Sequence, residues 1–341
     1  MSKRRRTDDV LGSGRPGNAH AFSVEPPEKS EQLWFEDGSI VLQAENTQFK
    51  VHRSILAKNS PIFADLFKIP HPASEPTIDG CPIVHLQDSA EDVKHVLLIL
   101  YGDREYVNPG RVPHFSVVAA MIRLGRKYEI DFMKDEALSR LKREFPTTLE
   151  EFDDVDRTGW THFTFPTDTV HDRECKKLYA MIRFAYECNI RSILPSLYVE
   201  LMGPARDLDN VFYLSNELPM PYDALRSFVC GRDILLSVRT QETYQWIREV
   251  GTLVSCKSRV KCSGMSRRLV LHVLNDPVYP SSVFHKWEAF EAGFENGTIK
   301  ELCDPCLQYA KRAHKEAREA VWTVLPTYFK LPEWDKLTDD M

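Results

Sequence analysis

Four cysteines in the last third of the chain, Cys256, Cys262, Cys303 and Cys306, are the residues whose types and spacing could do chemistry. Cys303-Asp304-Pro305-Cys306 reads as a helix start, with Asp304 as N-cap and Pro305 in the first turn. Free amides and the helix dipole at such an end favour thiolates. Two thiolates with two residues between them can take adjacent corners of a Zn²⁺ tetrahedron at about 2.3 Å, and a second pair could close a structural site. Cys256 and Cys262 are that pair, and Lys257, Arg259 and Lys261 around them would offset the excess negative charge of a Zn–Cys₄ centre. Two other chemistries fit the same residues. They could be free thiols with no metal, or Cys303 and Cys306 could form a redox dithiol, although no βαβ pattern flanks them.

Other reactive side chains have quieter readings. His314 lies eight residues beyond Cys306, about 12 Å along a helix, and falls on an apolar stripe, which suits a core histidine better than a metal ligand. Cys81, Cys175, Cys188 and Cys230 sit singly among apolar neighbours, as small buried hydrophobes do. Gly12-x-Gly14-x-x-Gly17 matches a dinucleotide fingerprint only in letters, because no strand precedes it and Pro16 interrupts it. Motifs for acyl transfer, phosphate cradling and zinc-dependent hydrolysis are missing, so no catalytic or cofactor-binding residue is assigned and a non-enzymatic protein is expected.

The elements that must position these groups follow from periodicity. Leu307, Ala310, His314, Ala317, Val321 and Val324 alternate steps of three and four, predicting a helix that Pro326 ends. Far upstream, Ile40, Leu42 and Ala44 alternate with polar residues, Glu45-Asn46-Thr47 turns, and Phe49 and Val51 resume the pattern. That is a hairpin with one buried face. Ser60-Pro61 starts a helix carrying Ile62, Phe63, Leu66 and Phe67 on one side. Ile83 to Leu86 reads as a strand. Asp88 and Glu91 form a capping box ahead of Val93, Val96, Leu97, Leu100 and Tyr101, and Gly102 marks the helix end. Phe115, Val118, Ala119 and Ile122 predict another helix, and Phe132, Ala137, Leu138, Leu141 and Phe145 one more before Pro146. The fold class is α+β, short strands on a helical cluster followed by a mainly α-helical C-terminal region.

Phe49-Lys50-Val51-His52-Arg53-Ser54-Ile55-Leu56, with Ser60-Pro61-x-Phe63 and Phe67, resembles the signature of BTB/POZ domains. The likeness continues through Leu86-x-Asp88, Leu100-Tyr101 and Leu124-x-x-Lys127-Tyr128-x-Ile130, and its wording resembles the fungal, basidiomycete-like members in particular. The resemblance implies a protein-interaction module that self-associates, typically as a homodimer. A helix ahead of the first hairpin serves the intertwined dimers; here that region is a Gly/Pro-rich tail with only Glu28 to Trp34 as a candidate, so a smaller dimer interface or a monomer also stays open. Further roles it implies are a scaffold or adaptor, a substrate adaptor for a cullin-RING ubiquitin ligase, and a nuclear transcription regulator with a cysteine-ligated module. Related fungal proteins also carry paired cysteines near this end. His52 is read as a partly buried histidine fixing the strand-to-helix corner.

The chain therefore divides into a disordered basic tail (1–30, with Lys3 to Arg6 either an import signal or a solvated terminus), a BTB/POZ-like domain (31–145), a linker or loop (146–174), a helical extension (175–250) and a cysteine-containing helical region (251–341). Ala180-Met181-Ile182-Arg183 repeats Ala120-Met121-Ile122-Arg123, and Ile190 echoes Ile130 at the same offset, so both segments are expected to be helix–turn–helix units packing through similar faces. A net charge of −6 argues against general nucleic-acid binding. The longest apolar runs fall short of the roughly 20 residues that cross a bilayer, and MSKRRRTDD lacks a secretory core, so a nuclear or cytoplasmic location is expected.

Overall fold

The computed structural model describes residues 26–70, 76–103, 112–155, 161–165, 172–204, 208–209, 211–212, 219–275, 280–293 and 299–339. Most of the expected basic tail, with Lys3 to Arg6, lies outside them.

Five strands form one sheet in the order β1-β3-β2-β5-β4. The alternating residues make the expected hairpin of β2 (Ile40–Ala44) and β3 (Thr47–Val51), antiparallel with Leu42 opposite Phe49, and the turn holds Glu45 at φ 48°. β5 (Cys81–Leu86) runs parallel to β2 and pairs with the two-residue β4 (Thr77–Ile78). Both faces of the hairpin are withdrawn from water, because Val41, Gln48 and Lys50 are buried along with Ile40, Leu42, Phe49 and Val51. Lys50 tolerates this by donating to Glu36 O at 2.9 Å, and Gln48 by donating to Gln43 at 2.9 Å.

Glu28 to Trp34 is not a helix. It is strand β1 (Glu28–Trp34), parallel to β3 at the sheet edge. Only Leu33 in it is fully buried, so no helical stripe exists to pack, whereas the open edge of β3 offers ladder partners.

Of helices α1 (Arg53–Asn59), α2 (Pro61–Leu66), α3 (Ala90–Leu100), α4 (Phe115–Lys127) and α5 (Asp131–Glu144), α3 packs on strands β1 and β2, α1 on α2 and α3, α4 on α3, and α5 on α4. Ser60 caps α2 by accepting from Phe63 N, and its hydroxyl donates to Tyr128 O, tying α2 to the end of α4. The cap of α3 is Ser89, accepting from Asp92 N, rather than an Asp88–Glu91 box. Asp88 instead accepts from Lys127 Nζ at 2.7 Å and Tyr128 Oη at 2.5 Å. On α5 the buried line is Met133, Ala137, Leu141, a strict four-residue step that leaves Phe132 54% exposed. His52 holds the corner as expected: its Nε2 is 3.1 Å from Asp37, and both its amide and its Nδ1 lie 2.8 Å from Tyr101 Oη.

Within 146–174, expected as a linker, the structure places the short helix α6 (Leu149–Asp154), capped by Thr148, and a fully buried Phe163. Beyond it come α7 (Asp172–Glu187), α8 (Leu194–Met202) and α9 (Tyr222–Val238), the last running into a single π turn at Arg239–Thr243. The repeated letters are matched in structure. Each first helix ends on a left-handed residue, Glu129 at φ 53° and Asn189 at φ 53°. Each then closes with the same bond, Ile130 N to Gly125 O at 2.7 Å and Ile190 N to Ala185 O at 2.8 Å. Ile130 and Ile190 are both fully buried.

The C-terminal region adds α10 (Trp246–Glu249), α11 (Arg259–Asn275), α12 (Trp287–Ala292) and the long α13 (Asp304–Tyr328). Pro326 does not end α13. A proline leaves the carbonyl four residues back without its helical donor. Here that carbonyl is Trp322 O, which accepts from Trp334 Nε1 at 2.8 Å instead. Apolar side chains gather into two clusters. The larger joins the sheet, α3 to α5 and the helices to Val238 in one core, and includes Val321, Trp322 and Leu325 of α13 and Phe329 at its C-cap. The smaller runs from Tyr244 to Ala310 and contains Cys262 and Cys306. No helix among the described residues is long and apolar enough to cross a membrane.

Candidate metal centre

The four cysteines reach one point from three places. Cys303 is the N-cap residue of α13, so Asp304 is the first helical residue and not the cap. Cys306 lies one turn in and faces the smaller core, fully buried. Cys262 sits in the first turn of α11, also fully buried, and Cys256 lies in the loop before that helix. All four Sγ atoms lie within 4.8 Å of one another, and Cys256 and Cys303 are 3.9 Å apart. All are free thiols, with no disulfide among the described residues.

A tetrahedron with metal–sulfur bonds of about 2.3 Å has sulfur–sulfur edges of about 3.8 Å. The observed spacing needs only a small contraction to reach that. Backbone amides already face the sulfurs: the Cys303 amide donates to Cys262 Sγ at 3.4 Å. The Cys306 and Lys257 amides donate to Cys303, and the Gly251 amide to Cys306. Amides donating to thiolate sulfur spread the charge that four thiolates bring to a divalent ion, and they fix ligand orientation.

The same contacts set the thiol acidities. Burial pushes the Cys306 and Cys262 thiols up. At Cys303 desolvation acts in that direction too, but the Cys306 and Lys257 amides together with hydrogen bonds from the Cys262 and Cys306 side chains outweigh it and hold the thiol down to about 6. A thiolate is therefore ready at the helix start, and the remaining protons would leave as an ion binds. The group has the donors, spacing and oriented amides to hold a soft or borderline metal ion.

Gly251 is the residue that spacing did not reveal. Its φ is +88°, and a Cβ there would lie 2.6 Å from the Ser263 amide and 3.0 Å from Cys262 carbonyl carbon. Only glycine brings that backbone close enough to donate to Cys306. His314 stays out of the group, as expected. It is 1% exposed, Nε2 donates to His285 O at 2.9 Å, and the rings of Tyr244, Trp246, Trp287 and Phe290 surround it. Cys81, Cys175 and Cys188 are buried singly and Cys230 partly so, as their surroundings implied.

No curated protein and no solved structure matches the chain. Its first part does match a known family: residues 34–144, which hold the hairpin, the Ser60 cap, the Asp88 contacts and helices α1 to α5, fit the BTB/POZ domain model, so this chain carries a BTB/POZ domain, typically a protein-interaction module.

Proposed function

We propose that the protein is a non-enzymatic adaptor that self-associates through its BTB/POZ domain and displays a zinc-stabilised C-terminal module to a protein partner. The carrying observation is that the 34–144 unit shares one apolar core with the helices that follow it, so a partner on either part is rigidly linked to the other. Because β1 lies in its own sheet beside β3, the expected homodimer is one whose two-fold interface uses helix faces and does not exchange that strand. Light scattering on the purified full chain tests this. A mass near twice 39.4 kDa supports it, and a monomer throughout the micromolar range refutes it.

Zinc at Cys256, Cys262, Cys303 and Cys306 is the ion that four thiolates at tetrahedral spacing favour. Elemental analysis after gentle purification is expected to give about one zinc per chain, and less than about 0.2 would dispose of the site, since structural zinc binds tightly. A second reading, substrate adaptor of a cullin-RING ligase, draws support from helices α7 and α8, which extend the α4–α5 pair with the same capping bond. Co-purification of a cullin with the full chain separates it from the first.

A further inference from the structure

Helix α11 has two unlike faces. Cys262, Met265, Leu269 and Val273 point into the smaller core, the first three fully buried. On the other side Val260, Gly264, Arg267 and Leu271 fall within one strip of the helix surface, and all are exposed. Val260 is 91% exposed and Leu271 58%, and Val254 in the loop before the helix is 97% exposed. A Cβ placed on Gly264 would meet nothing within 4 Å, so another backbone can come close at the middle of the strip.

The charge around this strip is one-sided. Residues 251–275 include Lys257, Arg259, Lys261, Arg267 and Arg268 and no aspartate or glutamate, in a chain with 50 acidic residues. Among the described residues only Arg268 has an ion-pair partner, Glu301 at 3.4 Å. Compensation for a Zn–Cys₄ centre accounts for two positive charges at most. Exposed apolar side chains inside a cationic rim mark an interaction surface.

We propose that the outer face of α11 docks an acidic amphipathic helix of a partner protein. Val260 and Leu271 stand eleven residues apart, about 16 Å along the axis, which a partner helix of about three turns would cover. Its apolar residues would bury Val260 and Leu271 across Gly264, and its carboxylates would meet Lys261, Arg267 and Arg268. A nucleic-acid backbone would satisfy the cations but leave both apolar side chains in water, so a protein helix fits better. This rests on the adaptor reading and names the surface the C-terminal module offers.

The test uses the full chain, zinc content measured, and a labelled acidic peptide with leucines at positions i, i+4, i+7 and i+11. Controls are its lysine-reversed twin and a DNA duplex of similar length. Fluorescence anisotropy at physiological salt is expected to give micromolar binding of the acidic peptide, at least about tenfold tighter than either control. The double variants R267E/R268E and V260D/L271D lie on exposed positions and should each weaken it about tenfold with unchanged zinc content. Absence of binding, preference for DNA, or loss with R267E/R268E but not with V260D/L271D overturns the proposal. Self-association measured on the same samples stays intact in that case, so failure of this face is distinct from failure of the adaptor reading.

Discussion

Acidification should weaken this protein through His314. The ring is 1% exposed, with Phe290 at 5.4 Å, Trp287 at 5.7 Å and Tyr244 at 5.9 Å between centroids. Nε2 is committed to His285 O, Nδ1 has no hydrogen-bond partner among the described residues, and Arg318 lies one turn further on. Burial and that nearby cation pull the imidazole from 6.5 down to about 4. The unfolded chain takes up the proton near pH 6.5, whereas the folded one resists until about 4. Stability is therefore complete above pH 6.5 and drains as pH falls towards 4. Between pH 7 and 4.5 the loss comes to about 2.5 kcal/mol. Acid also protonates cysteine ligands, so the measurement is a comparison with His314→Gln, which keeps a donor for His285 O and cannot titrate. Urea unfolding followed by tryptophan fluorescence reports on this cluster through Trp246 and Trp287. The advantage of wild type over the variant should shrink by about 2.5 kcal/mol between pH 7 and 4.5. A gap that stays constant within about 0.5 kcal/mol would show that His314 is not held neutral by its surroundings.

Gly231→Ala would put a methyl 2.1 Å from the Phe329 ring, forcing α9 and α13 apart, and calorimetry should show a loss of about 1–3 kcal/mol. Trp334→Phe removes the donor that replaces the one missing at Pro326, at a cost of about 1–2 kcal/mol. In a Pro326→Ala background the restored ladder satisfies Trp322 O, so the same substitution should cost measurably less. Arg318→Ala strands Asp153, now 2.6 Å from the guanidinium, and leaves Phe284 O without its donor; thermal unfolding should register about 3–5 kcal/mol. Chelation of a bound metal should raise hydrogen exchange at residues 304–310 of α13 while 321–328, held in the larger core, keep their protection.

The parts legible in the sequence are those whose signals are local. Ile40 to Phe67 could be read because a change of period from two to three or four carries its own evidence, and Ser60 caps α2 from the adjacent position. Edge strand β1 was not legible, since its pairing partner is β3 and only Leu33 is deeply buried, too little to show a period. Pro326 misleads for a similar reason: the group that rescues the helix is an indole eight residues further on. Cys303 and Cys306 announce themselves by spacing. Their convergence with Cys256 and Cys262 depends on how α11 packs against α13, which no local pattern specifies. Gly251 matters through a positive φ and an amide direction, neither of which leaves a trace in letters.

Helix α13 explains why the chain needs its cysteines where they are. Its C-terminal half contributes Val321, Trp322 and Leu325, with Phe329 at its C-cap, to the larger core and would stay anchored without help. Its N-terminal half faces the smaller cluster between Tyr244 and Ala310, a core of its own that is separate from the larger one and small enough for a crosslink to add to it. Cys303 and Cys306 stand at the far end of the helix from the larger core, where leverage against fraying is greatest. A metal bound by the four thiols would join α13 to α11 and its preceding loop, the segment bearing Val254, Val260 and the unpaired cations. The position of the thiols thus suits a mechanical role: with a metal bound, they would hold the outer face of α11 in register with the BTB/POZ domain through one continuous helix.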